Sequence, residues 1–175
     1  MEFLQQFKRR SVSLLNENVF DMLDKEWMLI TAGTAEKFNT MTASWGGFGI
    51  LWNKPVATIY VRPQRHTYGY TEANDIFTLS FFGHGNMREA LSFCGSKSGR
   101  DFDKPKETGL VPTDTPENGV AFEQARLVFD CRKLYADDIK PQNFIDVGID
   151  SKVYSAKDYH RFYIAEILGC YVKER

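Results

Sequence analysis

The chain has little of several things, and each scarcity narrows what it can be. Its 175 residues include three cysteines, Cys94, Cys131 and Cys170, isolated and odd in number. They have neither metal-like spacing nor a complete disulfide framework. The three histidines, His66, His84 and His160, are scattered, and no two are spaced as metal ligands. Neither sign of charge dominates: 22 Lys and Arg stand against 23 Asp and Glu, a formal charge of −1. A nucleic-acid surface calls for a basic excess, so that partner is not expected. No apolar run approaches the length of a bilayer crossing. The segment Met1 to Lys8 has an early acid and no hydrophobic stretch, unlike a signal peptide. The expectation is a reduced, cytoplasmic setting with no metal, no nucleic acid and no membrane.

What is present is an ordinary globular mixture, 43% hydrophobic and 26% charged, with length for one domain over residues 1–175. Most of the periodic signal has period two. Trp27 to Ala32, Pro55 to Arg62 and Ile76 to Phe82 are apolar, β-prone runs, the first and third stopped by Gly33 and Gly83. Ala125, Leu127, Phe129 and Cys131 alternate with Arg126, Val128, Asp130 and Arg132, a half-buried strand. Tyr159 to Val172 predicts a long C-terminal strand bent at Gly169. Helices are few: Thr67 to Asn74, and Met87 to about Phe93 behind a capping-box pattern at Asn86 and Glu89. Residues 95–118 predict mainly loop with one helical turn. Closely spaced strands with small helices inserted predict a mainly β fold, a β-barrel with short helices.

Within this frame the stretch Phe38 to Trp52 stands out. Asn39, Thr40, Thr42 and Ser44 are spent on what otherwise opens as a strand. An apolar interior would leave such groups unpaired at about 1–3 kcal/mol each. Three glycines and two tryptophans follow, which suits a backbone brought close to a ligand or another chain. A solvated edge strand ending in a loop accounts for the same residues, and this stretch alone leaves both readings open.

Arg62-Pro63-Gln64-Arg65-His66-Thr67-Tyr68 gathers two arginines, a histidine and a threonine where a strand hands over to a helix. Arginine forks and free helix N-terminal N–H groups suit one phosphate. A second basic loop, Ser96 to Asp101, lacks the earlier glycine of a P-loop. Gly83-His84-Gly85 lacks the third glycine of a dinucleotide fingerprint, because Arg88 takes its place. Cys94 has no activating neighbour and predicts a buried thiol. Asp146 and Asp150 predict loop carboxylates, and Glu166 a partly buried acid with a structural hydrogen bond.

Taken in order, Asn39-Thr40-Met41-Thr42-Ala43-Ser44-Trp45, Leu51-Trp52-Asn53-Lys54-Pro55, Val61 to Tyr68, and Ser96 to Asp101 with Asp103-Lys104 resemble the flavin reductase-like family, which includes flavoredoxin. The resemblance implies an FMN-binding split β-barrel, a homodimer, and FMN near the subunit interface. It implies that Asn39, Thr40, Met41, Thr42, Ala43, Ser44 and Trp45 line the isoalloxazine and ribityl chain. Arg62, Arg65 and Thr67 would surround the phosphate. Phe82, Gly83 and His84 would lie near the ring or ribityl, with His84 a weak catalytic candidate. Lys97, Ser98 and Arg100 would reach or cover the cofactor. Two activities fit this resemblance: an enzyme taking hydride from NADH or NADPH, and an electron carrier reduced by a redox partner protein.

Overall fold

The protein is represented by a computed structural model that describes residues 2–174. Its strands are β1 Phe7–Arg9, β2 Met28–Thr34, β3 Lys37–Ala43, β4 Gly46–Leu51, β5 Lys54–Val61, β6 Ile76–Phe81, β7 Pro112–Asp114, β8 Val120–Phe122, β9 Leu127–Asp138 and β10 Arg161–Lys173. Its helices are α1 Phe3–Gln6, α2 Val19–Asp21, α3 His66–Ala73, α4 Arg88–Ser96, α5 Lys104–Thr108 and α6 Val147–Val153. A π-helical turn, Met22–Glu26, continues α2.

Eight strands form one antiparallel sheet in the order β3-β2-β6-β9-β10-β5-β4, with β1 added beside the end of β10. The two edges of this sheet are neighbours in the chain, since only Ser44 and Trp45 separate Ala43 from Gly46. A sheet whose opposite edges are joined by two residues must curl until those edges meet. The result is a barrel with one open seam.

Period-two alternation then sorts the core into two layers. Met28, Ile30, Met41, Ile59, Leu79, Phe81, Phe129 and Tyr163 fill the barrel. Leu29 and Val128 point outward and pack with Phe3, Phe7, Leu91, Cys94, Phe122 and Tyr171. Each large apolar side chain buried in this way contributes roughly 1.5–3 kcal/mol. Helix α3 packs against β2 and β3, and Thr71 Oγ1 donates to the Tyr163 hydroxyl inside the barrel at 3.3 Å. Met22 and Leu23 pack into the same core from the N-terminal segment.

The mainly β architecture matches the sequence expectation, with differences in detail. The glycine-rich stretch expected as a ligand contact or loop is itself strand β4, paired with β5 from Gly46–Ile59 to Leu51–Lys54. The capping box does not form. Met87, with φ 53°, is the N-cap, and the Asn86 amide donates to the Phe82 carbonyl instead. Residues 95–118 hold α5 and β7 as well as loop. Asp146 caps a helix, α6, by accepting from the Gly148 N–H at 2.9 Å. The long last strand does shift register, between Ile167 and Gly169. A β-carbon at Gly169 would lie 2.4 Å from the Tyr171 ring, so only glycine fits there. Glu166 is ion-paired with Lys54 at 2.7 Å and Arg132 at 2.9 Å, and Cys94 is buried, both as expected.

Candidate functional site

The seam of the barrel makes the site. Pairing of β4 with β5 ends at Gly46–Ile59, so Tyr60 and Val61 of β5 have no β4 partner. Strand β3 pairs only with β2, which leaves its other edge free of strand partners. An edge strand presents a row of backbone donors and acceptors to whatever lies alongside. From the corner at Ser44 and Trp45 the two strands diverge, and a cavity of about 330 Å³ opens between them. Thr42, Ser44 and Trp45 line one wall, while Tyr60, Arg62 and His160 line the other.

At one end of the seam cavity stands Arg65, the residue before α3. Its guanidinium is half-buried, has no carboxylate partner within 4 Å among the described residues, and donates to the Cys94 carbonyl at 3.3 Å. Arg65 also lines a niche of about 150 Å³ with Gln64, His66, Lys97, Ser98 and Lys104. The loop carrying Lys97 and Ser98 is closed over β3: a β-carbon at Gly99 would lie 1.9 Å from the Asn39 amide oxygen. Arg100 fastens it by donating to the Gln64 carbonyl at 3.2 Å. Beneath the niche the buried Lys104 ammonium donates to the carbonyls of Thr40 and Cys94. Burial pushes the Lys104 pKa down to about 8, with Arg65 acting in the same direction and Cys94 against it.

The expected site residues separate into three groups. Met41, Thr42, Ala43, Ser44, Trp45, Arg62 and Arg65 come together in the seam cavity, and Lys97 and Ser98 join Arg65 in the niche. Asn39, Thr40 and Thr67 are beside it but already engaged. The Asn39 amide donates to the Thr67 hydroxyl at 2.7 Å, and the Thr40 and Thr31 hydroxyls pair at 2.8 Å. Phe82, Gly83 and His84 are not brought to the cavity. Phe82 packs in the outer core, the Gly83 N–H donates to Glu26, and His84 is exposed. Arg62 is split between two roles. It lines the seam, yet its guanidinium is ion-paired with Asp158 and donates to the Val153 carbonyl at 3.2 Å.

A domain model described as flavin reductase like matches residues 20–175. The chain belongs to the flavin reductase-like family. Among solved structures, it is similar to a flavoredoxin from Methanosarcina acetivorans, with 19% identity and a TM-score of 0.65 over 86% of this chain and 69% of that one. It is also similar to an FMN-binding protein from Thermus thermophilus, with 17% identity and a TM-score of 0.66 over 95% and 82%. The styrene monooxygenase flavin reductase of Pseudomonas putida S12 has 16% identity and a TM-score of 0.63 over 88% and 83%. At these identities the likeness is one of fold. A comparison with curated proteins finds no significant match.

In this flavin reductase-like chain, sequence reasoning passed over Tyr60, Gln64, Lys104 and His160. His160 is buried, its Nδ1 is 2.8 Å from the Tyr154 hydroxyl, and its ring lies 5.1 Å from that of Trp45. Burial, reinforced by the Arg62 charge, lowers its pKa to about 4, so the imidazole is neutral at pH 7. The seam therefore offers a free strand edge, aromatic walls and a neutral imidazole, with cations gathered at one end. Chemically this suits a flat group with polar edges tethered to an anion.

Proposed function

We propose that this flavin reductase-like chain binds FMN along the β3 seam, takes hydride from NADH or NADPH, and passes electrons to a free flavin or another acceptor. The observation that carries this reading is that Arg65 lines both the seam cavity and the cation-lined niche. One ligand can thus lay a ring against β3 and an anion against Arg65. Bound FMN supplies the redox chemistry. The chain's own residues bind, orient and shield: Thr42, Ser44 and the β3 edge face the ring and ribityl chain, and Arg65, Lys97 and Ser98 face the phosphate. Trp45 and Tyr60 flank the seam where a nicotinamide has to approach, and neutral His160 offers polarity there without charge. The same reading includes one domain over residues 1–175, a homodimer with FMN near its interface, and a cytoplasmic setting.

The carrier reading draws on a different feature. Trp45 at the seam corner, and Ile50 and Trp52 at the far end of β4, are 50%, 74% and 53% exposed, an apolar set along β4 that a redox partner protein could cover.

The two readings part under anaerobic reduction. Purified protein is expected to be yellow, to release FMN on heating, and to bleach within seconds on addition of NADH or NADPH. Bleaching only with a reduced protein partner would assign the carrier role. A colourless protein that also refuses added FMN would defeat both readings.

A further inference from the structure

Behind the seam wall that Tyr60 and His160 form stands a tyrosine that does not line the cavity itself. The chain leaves β9 at Asp138, forms α6 and returns at His160, whose carbonyl accepts from the Ile139 N–H at 2.9 Å. This excursion brings Tyr154, the residue that ends α6, to the back of His160. Its hydroxyl is 2.8 Å from Nδ1, and both side chains are buried. The Tyr154 ring is itself held, by the rings of Phe144 and Tyr159 at 5.9 and 4.9 Å and by the Arg62 guanidinium at 5.2 Å. On the seam side the imidazole is flanked by the rings of Trp45 at 5.1 Å and Tyr60 at 6.4 Å.

A neutral imidazole carries one N–H, and its other nitrogen can only accept. Burial raises the Tyr154 hydroxyl and lowers His160, so at pH 7 the phenol keeps its proton and the ring is uncharged. No other acceptor reaches the Tyr154 hydroxyl among the described residues, and the His160 backbone N–H, which also acts on that oxygen, is a donor. The hydroxyl proton therefore goes to Nδ1, and the ring proton stands on Nε2. That second nitrogen has no protein partner among the described residues, yet it is not sealed from solvent. In a residue that lines the seam, it is the polar atom left to face the cavity.

We propose that Tyr154 is a positioning residue: by donating to Nδ1 it holds His160 with Nε2–H as a neutral donor, aimed across the seam at the edge of the ring lying against β3. The inference rests on the flavin reading of the seam and adds the sense of one contact, in which the wall opposite β3 offers a proton-bearing nitrogen and not a lone pair. Reduction puts electron density on the polar edge of a flavin ring, so a fixed donor there favours the reduced form over the oxidised one. Without the Tyr154 hydroxyl, Nδ1 faces apolar surface and the imidazole is free to turn. The donor then loses its aim while the group itself stays in place.

The first measurement uses the ligand-free wild type. Nitrogen NMR of the histidine rings, with the His160 signals assigned by their absence in His160→Gln, reports which ring nitrogen carries the proton. The expected spectrum at pH 7 has Nε2 protonated and Nδ1 as a hydrogen-bonded acceptor, and added FMN should shift the Nε2–H signal. The second measurement compares wild type with Tyr154→Phe, thermal melting showing that the variant is folded. Tyr154→Phe should bind oxidised FMN within about twofold of wild type and reduced FMN about tenfold more weakly, a fall of about 30 mV in the two-electron midpoint potential of the bound flavin. A proton on Nδ1 in the wild type, an Nε2–H signal unmoved by FMN, or an unchanged potential in Tyr154→Phe would each overturn the assignment and leave the FMN reading standing. Equal losses of oxidised and reduced FMN would do the same, since a merely structural support for the wall affects both. If Tyr154→Phe does not fold, the wild-type spectra decide. If the wild type binds no FMN, the flavin reading itself fails and this inference with it, whichever nitrogen holds the proton.

Discussion

The buried ammonium of Lys104 donates to the backbone carbonyl of Thr40 at 2.7 Å, and through that bond α5 holds the strand that walls the seam. The same ammonium caps the Cys94 carbonyl at 2.9 Å, in the last turn of α4. A single cation thus joins three elements beneath the niche. Its lowered pKa, about 8, places its loss of charge within an accessible pH range. Binding a phosphate favours the charged form, so FMN affinity should be full below pH 8 and should fall as pH rises from 8 toward 9.5. Among its neighbours, Cys94 is raised to about 11 and Arg65 stays charged, so neither titrates in that window. Lys104→Arg, which cannot lose its charge, should flatten the profile. A profile equally steep in wild type and Lys104→Arg would sink this assignment.

Arg65 and Arg62 stand three positions apart and should behave differently. Arg65→Ala removes an unpaired guanidinium from the niche and should weaken FMN by about 1.5–3 kcal/mol, the scale of a charge-assisted hydrogen bond. Riboflavin, which lacks the phosphate, should lose far less. Arg62 is committed to Asp158 and lies over the Tyr154 ring at 5.2 Å. Arg62→Ala should therefore lower thermal stability and affect both flavins alike. Isothermal titration with the two ligands distinguishes these outcomes, and equal discrimination by both variants would refute the division.

That division shows where sequence legibility ends. The strands around Ile30, Ile59 and Leu79 were legible because β-branched and aromatic runs alternate and stop at glycine or proline. The strand from Gly46 to Leu51 was not, since glycines carry no alternating side chains and the pairing with β5 decides its form. The clustering of polar residues at Thr42 and Ser44 with Arg65 was visible as composition. The arrival of His160 was not, because it depends on the register that sets Phe162 opposite Tyr60, about a hundred residues away. Likewise nothing near Arg62 in the chain reveals Asp158. His84 was misleading for the reverse reason: a histidine between two glycines looks available, and it is, but away from the seam.

His160 yields a stability prediction. Its folded-state pKa of about 4 lies below the ordinary 6.5, so the unfolded chain binds more protons between those values. Its contribution is fully present above pH 6.5 and is lost as pH falls toward 4. Among the groups facing it, the Arg62 hydrogen bond holds the Asp158 carboxyl below its usual range and burial raises the Tyr154 hydroxyl, so neither enters this window. From pH 6.5 to 5 the wild type should lose about 1.5 kcal/mol that His160→Gln does not lose. Urea melts at the two pH values measure this difference. The same loss in the variant would show that other groups carry it.

Asp130 should act with the opposite sign. It is fully buried on the outer face of β9, accepts from the Thr115 hydroxyl at 2.6 Å through one oxygen, and has no partner for the other among the described residues. Burial raises its pKa to about 6 against the Thr115 hydrogen bond, so the folded chain binds more protons than the unfolded one between 3.8 and 6. Stability contributed here falls as pH rises through that range, and the cost persists above it. Asp130→Asn keeps an acceptor for Thr115 and removes the charge. It should stabilise the protein by about 1–3 kcal/mol at pH 8 and by clearly less at pH 4.5, where the folded-state carboxyl is protonated and only the unfolded chain ionises. Because the His160 variant moves stability the other way over an overlapping window, each substitution must be compared with wild type at both pH values. Equal destabilisation by Asp130→Asn at pH 4.5 and pH 8 would mean that the carboxyl is needed for its shape and hydrogen bond, and that its buried charge costs nothing.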